Sequence, residues 1–407
     1  MGSNPILSAN QRAAGPRLDD PVAAGGARVW LANAALAVCS IVLGYIAIEV
    51  IVFRVLLSQL PINLSSHLPD TVGVLVQNSK SHFVPRDYVA ILGDSYAVGL
   101  GDWFLQARGD RTKPFHSANV IHEATGLDVV SFGKEGNASA EGLVSLPARI
   151  FAGSQCFIFP AIEPPRAMFH YYYEGNDAPI DAALVDIVGR RYGGTDDHAI
   201  DRYLVDNKAS VPAWKCHAHL LDTMGRMAVF AYRHYIAGLT LTPDRRQENA
   251  LVVGGKTIPA PPLQGPALDL DEQQIKTAMR TLARSLSWLR TRFSGVPTTI
   301  VYVPSPLAIY RHAGETVSFH YGRDPGRPAT VALTERHSDL MCDLVRGAAI
   351  AQGAGFLDAR AALRAAAAER IIHGPLDWFH FNEAGYRVLG QVIANRLRGD
   401  LSASECP

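Results

Sequence analysis

Tyr88-Val89-Ala90-Ile91-Leu92-Gly93-Asp94-Ser95 is the stretch on which the fold turns. Five apolar residues run without alternation and stop at a glycine, an aspartate and a serine. Such a run, bounded by turn residues, reads as a strand buried on both faces. Four similar runs follow: Leu127–Ser131, Ala167–Tyr173, Thr298–Val303 and Gly355–Asp358. Helical patterns separate them. Residues 270–293 place Ile275, Met279, Leu282, Leu286, Leu289 and Phe293 three and four apart, on one face. Asp269 with Glu272 resembles a capping box at the start of that helix. Residues 385–397 read as the closing helix, with Asn382 as N-cap. Buried strands alternating with helices predict an α/β chain with a doubly wound parallel sheet.

Upstream of the first strand, Val29 to Phe53 is a run of 25 residues with one charge, Glu49, bracketed by Arg28 and Arg54. A bilayer core needs about 20 apolar residues in a helix, so the run is long enough to span. A secretory signal has an apolar core of only about 7–15 residues and a small-residue cleavage site. This run is longer and ends in Glu-Val-Ile-Val-Phe-Arg, which predicts an anchor rather than a cleaved leader. Arg12, Arg17 and Arg28 precede the run, and only Arg54 follows it before Lys80. Basic residues favour the cytoplasmic side, so the tail is expected inside and the large C-terminal part outside. In a bacterium with two membranes that compartment is the periplasm.

The expected organisation is therefore a tail (1–28), a single-pass anchor (29–57), a Pro-containing linker (58–85), an α/β domain (86–398) and a short C-terminal tail (399–407). An insertion at about 180–296 separates the third and fourth strands. It carries a helical stretch at 217–237 and a Val252–Lys256 turn that predicts a hairpin.

Lys+Arg and Asp+Glu both number 38, a balance that argues against a nucleic-acid partner. Five cysteines in 407 residues are too few for a disulfide scaffold. Cys156, Cys216, Cys342 and Cys406 lie beyond the anchor and allow three pairings, while Cys39 lies within it. The Gly-x-Ser-x-Gly elbow, the P-loop and Gly-x-Gly-x-x-Gly are all absent. His122-Glu123 starts a zincin-like string, but Gly126 stands where the second ligand would be. Cys216-His217-Ala218-His219 has no second cluster at metal-site spacing. The aromatic run Phe169–Tyr173 reads as strand packing whose alternate residues can floor a site.

Candidate chemistry sits at the strand ends. Ser95 follows the first strand at a strand-to-helix turn, on the edge where open α/β sheets bind ligands. A serine nucleophile needs a base within hydrogen-bond reach and an acid to orient that base. Asp377 and His380, three apart before the last helix, can supply both. Ser131-Phe-Gly-Lys-Glu-Gly136 follows the second strand, and Glu174-Gly-Asn-Asp177 the third. A glycine N–H and the Asn176 amide there are candidate donors to an oxyanion. Each segment alone also reads as ordinary turn chemistry.

In this order, the four segments together resemble the SGNH (GDSL-type) hydrolases. Ser95 matches the nucleophile block and Asn176 the asparagine block. Asp377 and His380 match Asp-x-x-His, with Asn382 and Gly385 continuing it. Gly136 matches the glycine block, with Gly133 as the alternative alignment, and Ser131 stands where the family commonly has Asn. The resemblance covers roughly 87–137, 166–177 and 355–397. It implies a flavodoxin-like α/β/α sandwich and ester hydrolysis through an acyl-enzyme, with no metal or organic cofactor. Three functions are expected to compete. The first is an anchored serine esterase acting outside the cytoplasm on an ester such as the O-acetyl group of a glycan. The second is a polysaccharide O-acyltransferase using the same triad. The third is a non-catalytic anchored scaffold or glycan-binding protein.

Overall fold

The computed structural model describes residues 21–56, 68, 73, 76–82, 84–101, 113–136, 138–145, 162–206, 218–236, 246–320, 326–400 and 406. The chain divides into two compact units, 1–51 and 52–407.

Among the described residues of the first unit, the helix α1 (Pro21–Val50) contains most of the apolar run, and the chain continues as a wider π turn over Ile51–Leu56. Arg28–Phe53 is long and apolar enough to cross a bilayer, with a mean hydropathy of 2.5. Its 26 residues extend about 39 Å as a helix, against an apolar core of about 30 Å. Glu49 accepts a hydrogen bond from Tyr45 Oη one turn earlier (3.4 Å).

The second unit begins with β1 (Val89–Gly93), α2 (Ser95–Val98), α3 (Ser117–Thr125), β2 (Val129–Ser131) and β3 (Ala167–Tyr173). Next come α4 (Asp177–Tyr192), α5 (Asp197–Asp206), α6 (His219–Ala231) and the strands β4 (Asn249–Val253) and β5 (Lys256–Ala260). The chain continues through α7 (Glu272–Arg292), β6 (Thr298–Val303), α8 (Pro306–Ile309), β7 (Arg311–His312), β8 (Thr316–Phe319) and β9 (Arg327–Thr330). It closes with α9 (Val331–Ala351), β10 (Gly355–Asp358), α10 (Arg360–Glu369) and α11 (Glu383–Arg398).

The central sheet is β10-β6-β3-β1-β2, parallel throughout. Counting only these five strands, the order is 2-1-3-4-5, the flavodoxin-like doubly wound arrangement. All five are the strands the apolar runs predict. Alternate residues serve opposite faces. Ala90, Leu92, Met168, Tyr172, Ile300 and Tyr302 join α4, α5, α7 and α9 in one core. Val89, Ile91, Phe169, Tyr171, Val301 and Val303 join α3, α10 and α11 in the other. Two-sided burial is why the strands read as unbroken apolar runs.

The hairpin predicted around 252–256 is β4–β5, turning at Gly254-Gly255, and β7 completes a small antiparallel sheet with it. The predicted helix at 217–237 is α6, followed by a π turn over Tyr232–Ile236. The capping box of α7 differs from the Asp269/Glu272 reading. Asp271 Oδ1 accepts from Gln274 N (2.8 Å), and Gln274 Oε1 accepts from Asp271 N (2.9 Å). Residues 268–269 are spent on the preceding turn, which moves the cap two residues on. In the segment expected as a linker, Gln77 exchanges two hydrogen bonds with Ser131, both 2.8 Å, and Ser79 bonds Val129. Residues 77–79 thus run along the free edge of β2. Cys342 is disulfide-bonded to Cys406. Cys156 and Cys216 lie outside the described residues, and Cys39 is exposed on α1.

Candidate active site

The strands end together at one edge of the sheet. Gly93 pairs with Tyr171, so the turn after β1 and the loop after β3 emerge side by side. Ser95 opens α2, and Asp94 caps that helix by accepting from Tyr96 N (2.8 Å). His380 and Asp377 reach the same edge from the loop between α10 and α11. His380 Nε2 lies 2.9 Å from Ser95 Oγ, and its Nδ1 lies 2.7 Å from Asp377 Oδ2. Asp377 Oδ1 also accepts from Phe379 N (2.9 Å), which fixes the carboxylate plane. The downstream end of the loop is held by Asn382, whose Oδ1 accepts from Ala384 N and Gly385 N at the start of α11.

Asn176 stands at the N-terminus of α4 and makes no side-chain cap there. Its Nδ2 donates to Asp94 Oδ2 instead (3.3 Å), and Ser95 Oγ lies 3.4 Å from the same oxygen. The asparagine amide is thereby held against the serine turn. Gly133 and Gly136 occupy different environments. A β-carbon on Gly133 would come 2.5 Å from Ala97 Cβ and 2.6 Å from Val98 N. Gly136 has φ +74° and open space where a side chain would stand. Its neighbour Glu135 is close enough for its charge to favour the His380 imidazolium.

Charge distribution follows the geometry. Burial disfavours the His380 imidazolium, but the Asp377 carboxylate outweighs it and lifts the pKa above the ordinary value. Burial also raises Asp377, and the His380 pair with the Phe379 N–H more than reverses that. Asp94 is fully enclosed, and burial lifts it to about 6 against the pull of the Tyr96 N–H and the His380 charge. On α4, Asp177 and Asp181 are also buried. Burial raises both, Asp181 to about 7.

Sequence reasoning placed Ser95, Asp377, His380 and Asn176 at this edge, and the structure brings all four together. It missed three supporting residues. Asp94 is the acceptor that Asn176 and Ser95 share. Tyr96 packs its ring on Tyr173 (4.3 Å) and His380 (5.4 Å) and donates its hydroxyl to the Phe379 carbonyl. Glu174 is buried and accepts from Ser305 N, Ser305 Oγ, Tyr302 Oη and Ser338 Oγ, which pins the loop carrying Asn176 to the end of β6. Asp94 and Glu174 had a signal, as members of Gly93-Asp94-Ser95 and Glu174-Gly-Asn-Asp177, and Tyr96 had none. Of the Cys216–His219 string, Ala218 and His219 are described, and His219 stacks on Phe53 (5.5 Å).

No protein-family model and no curated protein matches the chain. Among solved structures, the chain is similar to an extracellular lipase from Streptomyces rimosus. That likeness has 13% identity over 75% of this chain and 97% of that one, with a TM-score of 0.37. It is also similar to phospholipase A1 from Streptomyces albidoflavus NA297. Here identity is 13% over 76% of this chain and 98% of that one, with a TM-score of 0.35.

Proposed function

We propose that the chain is a membrane-anchored serine esterase of the SGNH type. The observation that carries the reading is the continuous line from Ser95 Oγ through His380 to Asp377, at 2.9 Å and 2.7 Å. A base within reach of a serine, itself oriented by a carboxylate, is what nucleophilic acyl transfer requires. His380 takes the Ser95 proton as Oγ attacks the ester carbonyl and returns it to the leaving alcohol. Asp377 holds the imidazole tautomer and stabilises the imidazolium. The Ser95 N–H, the Gly136 N–H and the Asn176 amide donate to the oxyanion, each donor worth about 3–4 kcal/mol of barrier. Water then releases the acyl group from Ser95.

The apolar run Arg28–Phe53 supports anchoring, with the catalytic unit outside the cytoplasm. The Cys342–Cys406 bond suits an oxidising compartment. The substrate class we assign is an O-acylated glycan presented there. A fluorophosphonate probe should label the protein, and Ser95→Ala should abolish labelling. Labelling that persists in the variant would overturn the assignment of the nucleophile. Incubation with an O-acetylated glycan should release acetate, with no mass gain on an added acceptor glycan. A mass gain would identify an acyltransferase instead.

A further inference from the structure

The helix α6 and its π turn are amphipathic in the reverse sense. The polar residues Thr223 and His219 are buried against the domain, and Asp222 pairs with Arg226 on the flank (3.4 Å). The outward face carries Leu221, Met224 and Ala228, continued by Tyr232, Tyr235 and Ile236. Met224 is 57% exposed, Tyr235 79% and Ile236 75%. A contiguous apolar face of this kind marks an interaction surface.

Its position identifies the partner. Phe53 ends the apolar run Arg28–Phe53, is buried within the second unit and stacks on His219, the first residue of α6. The first turn of α6 therefore packs against Phe53, the second residue of the second unit. The segment 219–236 is short and contains charged residues, so it suits the interface rather than a crossing. Two tyrosines near its end are the residue type that settles at headgroup level. Asp222 and Arg226 pair on the flank of the helix, so the outward face itself offers apolar burial to lipid.

We infer that α6 and the following turn lie on the bilayer surface, holding the catalytic unit against the membrane beside its anchor. The inference rests on the anchored reading above. The test uses the full chain in phosphatidylcholine vesicles. An environment-sensitive fluorescent amino acid replaces Met224 or, as a reference, Ile350 on α9, which is 58% exposed. After an alkaline carbonate wash the chain should remain in the vesicles. The probe at position 224 should emit to the blue of the reference. Headgroup-proximal spin-labelled lipid should quench it severalfold more than the reference, and iodide severalfold less. Adding Leu221→Glu and Ile236→Glu should return it to iodide. Release by the wash overturns the anchor and this inference with it. A retained chain whose position-224 probe meets iodide like the reference overturns the docking alone. Shielding from both iodide and lipid would identify a protein partner, such as a second copy, and overturn the lipid assignment.

Discussion

Tyr96, one residue after Ser95, donates its phenolic hydroxyl to the carbonyl of Phe379, one residue before His380. The bond ties the Ser95 turn to the His380 loop across 283 residues of chain. Buried on all sides, the ring also packs edge-on against Phe381 (5.1 Å). Tyr96 is therefore a strut that sets the distance between Ser95 and His380. Tyr96→Phe should keep the ring packing and lose the strut. The expected result is a fall of roughly tenfold in kcat on an activated ester with KM unchanged, since small misplacements of reacting groups are costly. Unchanged kcat would show that packing alone sets the distance.

The pH profile should report His380. Only the neutral imidazole can accept the Ser95 proton, and Asp377 with Asp94 favours the charged form against burial. The acid limb of kcat/KM should therefore have a midpoint above the ordinary histidine value of about 6.5. Asp377→Asn should move that midpoint down and lower kcat by about four orders of magnitude. Asp94→Asn should also move it down, with a smaller loss of rate. A midpoint that stays in place in both variants would contradict this assignment.

Asp181 should make the fold less stable as pH rises. Burial keeps its carboxyl neutral up to about 7 in the folded state, while the unfolded chain ionises it near 4. Unfolding therefore releases a proton between these values. The stabilisation is fully present below about pH 4 and is lost as pH rises to about 7. Ala140 N donates to Asp181 Oδ1 (3.4 Å), and hydrogen bonds from Ser139 and Ala140 oppose the effect of burial without reversing it. Asp181→Asn removes the titration, so its advantage over wild type should grow across that window, by on the order of a few kcal/mol at neutral pH. Denaturant melts at pH 4.5 and pH 8, values chosen to bracket roughly that window, would reveal it. Parallel changes in both proteins would refute it.

Gly133 and Gly136 should respond differently to one added methyl. At Gly133 it meets the backbone of α2 at 2.6 Å, so the helix carrying Ser95 must shift. Gly133→Ala should cost about 1–3 kcal/mol and remove probe labelling. Gly136→Ala meets nothing within 4 Å and carries only the penalty of its positive φ, about 1–2 kcal/mol. That variant should fold and still label with the fluorophosphonate. Thermal melts paired with labelling separate the two, and equal behaviour would count against this account.

The sheet was legible because its strands are buried on both faces. Such strands must be apolar at every position, so a short window of sequence is enough to find them, and three of the five expected spans agree to the residue. The helix α1 was legible for a similar reason, since an unbroken apolar run long enough to cross a bilayer stands out in the sequence. Ser95, Asn176, Asp377 and His380 were legible because each follows a strand or precedes the last helix in a compact motif. Their supports were not. The Tyr96–Phe379 bond, the Asp94–Asn176 bond and the four donors to Glu174 join residues far apart in sequence, and no local pattern marks which will meet. The true α7 cap lay two residues from the expected one because Asp269 and Asp271 are equivalent in pattern until the preceding turn claims one of them. The outward apolar face of α6 has the same helical period as an inward one. Periodicity counts which residues share a face, and only the packed structure decides which face meets the core.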